Sequence, residues 1–301
     1  MCGIVGLHLT DSGLHPRLGE LITPMLVAMS TRGPDSAGIA LYDGPLTGGC
    51  QRFTVRAPGA DGWDASAEEI EKRLAVALDA EVSVEITANH ATLTTGATEP
   101  AVRAALRELV PGAVIVGWGE ALRIVKDVGT PAQICDRYRI AAATGYQAVG
   151  HTRMATESAV TTDHSHPFAP AADLTLVHNG SFSNYASIRR RLTDAGEHFD
   201  TDNDSEVAAR FIARRLADGD DLGEALRRVL KEFDGFFTLL VASRDEFAVV
   251  RDAFACKPLV VAEGPGYVAV TSEYHAMAGL PGIEQARVFE PMPEEIHAWS
   301  R

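Results

Sequence analysis

Apolar residues along the chain follow two different periodicities. Over 18–29, 66–78, 99–110, 185–192, 205–216 and 222–232 they recur every three or four positions, the spacing that lines one face of a helix. The stripes are explicit at Ile70, Leu74, Ala77 and Leu78, and again at Val102, Leu106, Leu109 and Val110. Short apolar runs punctuated by Gly, Pro, Asn and Asp predict strands over 1–9, 38–42, 51–56, 82–87, 91–95 and 113–118. Further strands are expected over 148–151, 174–177, 237–241, 248–251, 259–262 and 267–270. Non-contiguous strands with segregated helices imply two layers of sheet covered by helices.

Between 51 and 119 the order is β-α-β-β-α-β, the ferredoxin-like motif. These elements either lengthen the main fold or form a separate inserted subdomain, and no chemistry is apparent in them. There is no internal repeat and no low-complexity linker. The turn Asp218-Gly219-Asp220-Asp221 reads as the cap of the following helix.

Composition narrows the class. A chain of 301 residues with 46% hydrophobic and 23% charged content can bury a large core. A net charge of −14 gives no electrostatic footprint for nucleic acid or an anionic membrane. No apolar run approaches the roughly 20 residues of a membrane span, and the start lacks the pattern of a secretion signal. A soluble, cytoplasmic protein is expected, with homo-oligomerisation left open. Cys2, Cys50, Cys135 and Cys256 are far apart, which indicates neither zinc nor a disulfide framework. His164 and His166 lack accompanying Cys or carboxylate ligands, so no metal site is expected there.

Cys2 carries the first chemical signal. A small residue after the initiator Met permits Met removal, which places a thiol and a free α-amino group on one residue. The amine titrates near about 7.7–8.0 and a free thiol near about 8.5, so the amine can accept the thiol proton near neutral pH. Glycines at 3 and 6 allow backbone and substrate to approach closely. Taken singly, the other signals are ordinary: Asn179-Gly180 reads as a tight turn, Asp204 as a helix N-cap and Arg153 as a surface ion pair.

Jointly they are not ordinary. Cys2-Gly3-Ile4-Val5-Gly6, Arg32-Gly33-Pro34-Asp35-Ser36, His151-Thr152-Arg153-Met154-Ala155-Thr156, His178-Asn179-Gly180 and Asp204-Ser205-Glu206 occur in the order of the class II, N-terminal nucleophile glutamine amidotransferases. Asp234-Gly235-Phe236-Phe237, Arg251-Asp252, Lys257-Pro258-Leu259 and Ser272-Glu273 resemble later landmarks of that family. Met154, where many relatives carry a bulky aromatic, and Glu157 after Thr156 resemble the glutamate-synthase-like branch.

The resemblance implies an α+β, four-layer αββα sandwich of the N-terminal nucleophile hydrolase type, with a ferredoxin-like βαββαβ insertion. One amidotransferase domain would span 1–301, with 54–145 as an inserted α/β segment. Cys2 would be the nucleophile, and Asn179 and Gly180 the oxyanion donors. Arg153 would bind the substrate carboxylate and Asp204 its α-ammonium, with Thr156 and Met154 lining the pocket. Arg32 and Asp35 would organise a supporting loop. The implied reaction converts L-glutamine to L-glutamate and ammonia without a cofactor. Ammonia would pass to a separate synthase subunit, as in glutamate-synthase-like or N-methylglutamate synthase complexes. A catalytically idle scaffold or a glutamine-sensing subunit is the alternative.

Overall fold

The computed structural model of the chain describes residues 2–59, 62–154 and 160–301, and its first strand, β1 (Gly3–Leu9), is buried at every position. A strand covered on both faces needs a layer on each side. Val5, Leu7 and Leu9 pack into the core beneath helix α1 (Leu18–Ala28), whereas Ile4 packs into a second core between two sheets.

After β2 (Ser36–Tyr42) the chain runs through β3 (Gln51–Arg56), α2 (Ala67–Leu78), β4 (Val82–Thr87), β5 (His90–Thr95), α3 (Glu99–Leu109) and β6 (Val114–Gly119). It then forms β7 (Leu122–Val128), α4 (Pro131–Arg137), β8 (Gln147–Arg153), β9 (Phe168–Ala171) and β10 (Leu174–Phe182). Three helices follow, α5 (Tyr185–Asp194), α6 (Asp204–Ala217) and α7 (Leu222–Glu232). The chain closes with β11 (Gly235–Ala242), β12 (Glu246–Arg251), β13 (Val260–Gly264), β14 (Tyr267–Thr271), β15 (Arg287–Phe289) and β16 (Ile296–Ser300).

Two sheets form the sandwich. The first is seven-stranded, in the order β15-β13-β14-β1-β8-β2-β7, and the second is five-stranded, β16-β12-β11-β10-β9. Helices α1 and α4 cover the first, and α5, α6 and α7 cover the second, giving the expected αββα layers. The stripe Leu222, Ala225, Leu226 and Val229 turns α7 onto its sheet, and the Asp221 carboxylate caps it by accepting from Glu224 N at 2.7 Å.

A third sheet, β4-β5-β3-β6, is antiparallel throughout, with β3 between β5 and β6 as in the split βαβ pattern. With α2 and α3 it encloses its own core around Phe53, Ile70, Leu74, Leu93, Val102 and Leu106. The elements that follow do not belong to it. β7 pairs with β2 from Ser36↔Val128 to Tyr42↔Leu122, and α4 packs on α1, so both serve the main sandwich.

Neither β7 nor α4 is visible in the hydrophobic pattern. Lys126 and Asp127 interrupt the apolar run of β7 and are buried only because other segments supply their partners. α4 is seven residues long and is defined by a capping box between Thr130 and Gln133. Among the described residues no helix is long and apolar enough to cross a membrane.

Polar contacts join the two sheets at each end of their shared core. The buried Tyr42 hydroxyl on β2 donates to Ala242 O at 2.9 Å and lies 2.8 Å from Thr175 Oγ1, both on the second sheet. At the other end, His151 of β8 donates through Nε2 to His178 O of β10 at 3.1 Å. His166 packs between these residues, its ring tilted against His151 at 4.1 Å between centroids and edge-on to His178 at 6.5 Å. Burial lowers the pKa of all three, that of His151 to about 3, and the neighbouring imidazoles lower those of His151 and His166 further.

Two outcomes follow for stability. Tyr42→Phe leaves buried acceptors unsatisfied and is expected to cost about 1–3 kcal/mol in chemical denaturation, with an unchanged denaturant slope. The unfolded chain binds protons at these histidines near pH 6.5, whereas the folded chain binds them only at lower pH, well below that for His151 and His166. Their contribution is therefore complete above about pH 6.5 and is lost as pH falls, by up to about 1.4 kcal/mol per unit for each group. Equal unfolding free energies at pH 7 and pH 5 would contradict this.

Candidate functional site

One end of the sandwich gathers residues that are far apart in sequence. The register Gly3↔Thr152 places Arg153, at the end of β8, beside Cys2, at the start of β1. β10 of the second sheet brings Asn179 and Gly180 to the same place, and the first turn of α6 brings Asp204. All five line one cavity of about 270 Å³, together with Met154, His166, His178, Ser205 and Lys257. Larger hollows exist elsewhere, such as one of about 720 Å³ beside Arg56 and Asp127, but they bring none of these residues together.

The start of β1 is held from several directions. Ile4 N donates to Ser272 Oγ at 2.9 Å, and Ser272 N donates back to Ile4 O at 3.0 Å. The Cys2 carbonyl accepts from Arg32 Nε at 2.9 Å and from the Asn179 side-chain amide at 3.2 Å. Arg32 is in turn paired with Glu273 at 2.6 Å. Gly3 is needed for close approach, since a Cβ there would stand 2.8 Å from Thr152 Oγ1 and 2.9 Å from Met29 Cβ.

Asn179-Gly180 is not a turn. Both residues lie inside β10, paired Asn179↔Thr238 and Gly180↔Phe237, because the strand continues through them to Phe182. Gly180 has φ +149°, and a Cβ would fall 1.8 Å from Phe236 O, so only glycine fits. Asp204 is not the N-cap either. Asn203 caps α6 by accepting from Ser205 N at 2.8 Å, which leaves Asp204 in the first turn to accept from Phe182 N at 2.9 Å. Arg153 is 6% exposed rather than a surface residue, and its carbonyl accepts from Asp35 N at 3.1 Å.

The remaining candidates separate by position. Met154 lines the cavity, Arg32 reaches the Cys2 carbonyl, and Asp35 lies outside the lining, where its carbonyl accepts from Gly129 N. Thr156 lies outside the described residues. His164 and His166 diverge: His164 contacts Asp202 at 2.6 Å, while His166 turns inward against His151. His166, Ser205 and Lys257 in the wall, and Ser272 and Glu273 behind it, carried no assigned role in sequence. Ser272-Glu273 and Lys257 stood out as landmarks, but only the fold shows what they touch.

Charge in the cavity is polarised. Arg153 and Lys257 supply positive charge, Asp204 faces them from α6, and the buried imidazoles of His166 and His178 are neutral. His178 Nδ1 lies 2.8 Å from Ser205 Oγ, which ties β10 to the same helical turn.

A family model described as a glutamine amidotransferase domain matches residues 151–279. The chain is 46% identical to the glutamine amidotransferase-like protein GlxB of Rhizobium meliloti, over 99% of this chain and 98% of that protein. It is 34% identical to a putative glutamine amidotransferase of Methanothermobacter thermautotrophicus, over 99% of each. In fold it is similar to glutamine phosphoribosylpyrophosphate amidotransferase from B. subtilis, with a TM-score of 0.62 at 18% identity. All of this chain aligns there, although it spans about half of that structure's length, 49%. With the αββα sandwich and end-to-end identity to these relatives, the chain belongs to the class II, N-terminal nucleophile glutamine amidotransferase family.

Proposed function

We propose that the chain is a glutaminase subunit that hydrolyses L-glutamine through a Cys2 thioester and delivers ammonia to a separate synthase-type subunit. One observation supports this above others: Cys2, Arg153, Asn179, Gly180 and Asp204 converge on one cavity from both sheets and a helix. An α-amino acid presents a carboxylate and an ammonium at one end, and the fixed guanidinium of Arg153 and the carboxylate of Asp204 suit that pair.

With Met1 removed, the Cys2 amine takes the thiol proton and the thiolate attacks the side-chain amide carbon of glutamine. The oxyanion that forms is stabilised by Asn179 and by the Gly180 N–H. An amide NH₂ has two donors, and Asn179 uses one on Cys2 O. The second remains for the oxyanion, so the donor is anchored to the residue carrying the nucleophile. The Cys2 ammonium returns its proton as ammonia leaves. Water, deprotonated by the amine, then attacks the thioester, releasing glutamate and restoring the thiol.

The separate acceptor is supported by the two relatives matched over nearly their whole length, 98% and 99%, which have no room for a fused synthase. We also read 1–301 as one amidotransferase domain whose inserted segment, expected over 54–145, is the subsidiary unit from β3 to β6, since β7 and α4 return to the sandwich. The acceptor class, glutamate-synthase-like or N-methylglutamate synthase, is read from Met154 and Glu157, which resemble that branch of the family.

Labelling with 6-diazo-5-oxo-L-norleucine, followed by intact-mass and peptide mapping, tests the nucleophile. A single adduct on Cys2 of a chain lacking Met1, blocked by excess glutamine and absent in Cys2→Ala, is expected. Retained Met1, or an unlabelled Cys2 in the presence of the acceptor subunit, would favour the scaffold or sensor alternative. In steady-state kinetics Asn179→Ala should lower kcat by about 10²–10³-fold with little change in KM. Asp204→Asn should act mainly on KM, and the reverse pattern would reassign both residues.

A further inference from the structure

Lys126, on β7, is a buried cation that the glutaminase site does not use. It is 5% exposed, its Nζ donates to Ser165 O at 2.8 Å, and it lies 4.9 Å from the Phe168 ring centroid. Among the described residues no carboxylate stands within ion-pair distance of it. The acids that act on it, Asp163, Glu206 and Asp200, do so from farther off. Each is engaged by an arginine: Asp163 by Arg56 at 2.9 Å, and Asp200 and Glu206 by Arg210 at 2.8 and 2.7 Å.

Between the ammonium and these acids lies a cavity of about 180 Å³. That is several times the roughly 30 Å³ occupied by one water. Val114, Val116, Phe168 and Pro170 give it an apolar wall. A buried charge without a counter-ion is costly, and burial lowers the Lys126 pKa to about 8. The lining carries both signs, Lys126 and Arg210 against Asp163, Asp200 and Glu206, so a simple anion or a simple cation would meet like charge at one end. A molecule carrying both charges matches both ends, with its hydrocarbon part on the apolar wall.

We propose that this cavity binds a small zwitterionic amino acid with an apolar side chain, its carboxylate toward Lys126 and its ammonium toward Asp163 and Asp200. The site is distinct from the glutamine pocket, with which it shares no described lining residue. The two are neighbours, however. Ser205 faces one and Glu206 the other, and the segment from His166 to Phe168 divides them. Lys126 itself holds that segment through Ser165 O. An occupant therefore sits against the first turn of α6, the turn that presents Asp204.

Equilibrium dialysis of L-valine and L-leucine against the Cys2→Ala chain, with saturating glutamine present, tests the site without relying on turnover. One saturable site is expected at millimolar or lower concentration. Isovalerate, which lacks the ammonium, and isobutylamine, which lacks the carboxylate, should bind at least tenfold more weakly. Lys126→Met should weaken L-valine binding by tenfold or more. Ala169→Phe, which fills the cavity from the partly exposed wall of β9 and leaves Lys126 in place, should abolish it. Absence of saturable binding, equal binding of isovalerate, or binding indifferent to Ala169→Phe would each overturn the proposal and leave the cavity to water.

Discussion

Everything at the site depends on holding the second residue of the chain still. Chain ends fray unless they are tied into structure, and here the tie begins at once. β1 is an interior strand of a seven-stranded sheet, paired with β8 on one side and β14 on the other. Its ladder is extended past its own end by the Ile4–Ser272 exchange and by two donors on the Cys2 carbonyl. Those donors come from Arg32, itself paired to Glu273, and from Asn179 on the opposite sheet. Cys2 and Asn179 are therefore one mechanical unit, fixed relative to each other across the interface between the sheets.

Three buried histidines line the interface between the sheets behind the site. His151, His166 and His178 pack together in the core, where burial disfavours the protonated form of each and neighbouring imidazoles add to this at His151 and His166. Arg153, Asp204 and Lys257 carry formal charge in the cavity lining, and the charge behind Cys2 is that of the closed Arg32–Glu273 pair.

The subsidiary sheet follows a different logic. It has a core of its own and meets the sandwich mainly through β6, which contacts β7 and β9. Its contribution near the site is indirect: β6 supplies the apolar wall opposite Lys126, and so closes a hollow that the sandwich alone would leave open.

The periodic patterns of α1 and α7 were legible in sequence because each buries one face, and β1 and the first half of β10 were legible as short apolar runs buried on both faces. The family motifs were legible as joint occurrences, and from them the αββα architecture and the set of residues that meet at the cavity. Where a residue's environment comes from distant segments, sequence pointed elsewhere. Asn179-Gly180 has the composition of a turn but lies within a strand, because β11 pairs across it. Asp204 has the composition of a cap, but Asn203 takes that position and leaves Asp204 facing the cavity. β7 carries Lys126 and Asp127 in what became a buried strand, since carbonyls near His166 and the Tyr138 and Arg137 side chains satisfy them. By itself the sequence determined which elements form and which chemical groups are available. The tertiary structure decided which of those groups share a cavity, because pairing between distant strands sets positions that no local spacing encodes.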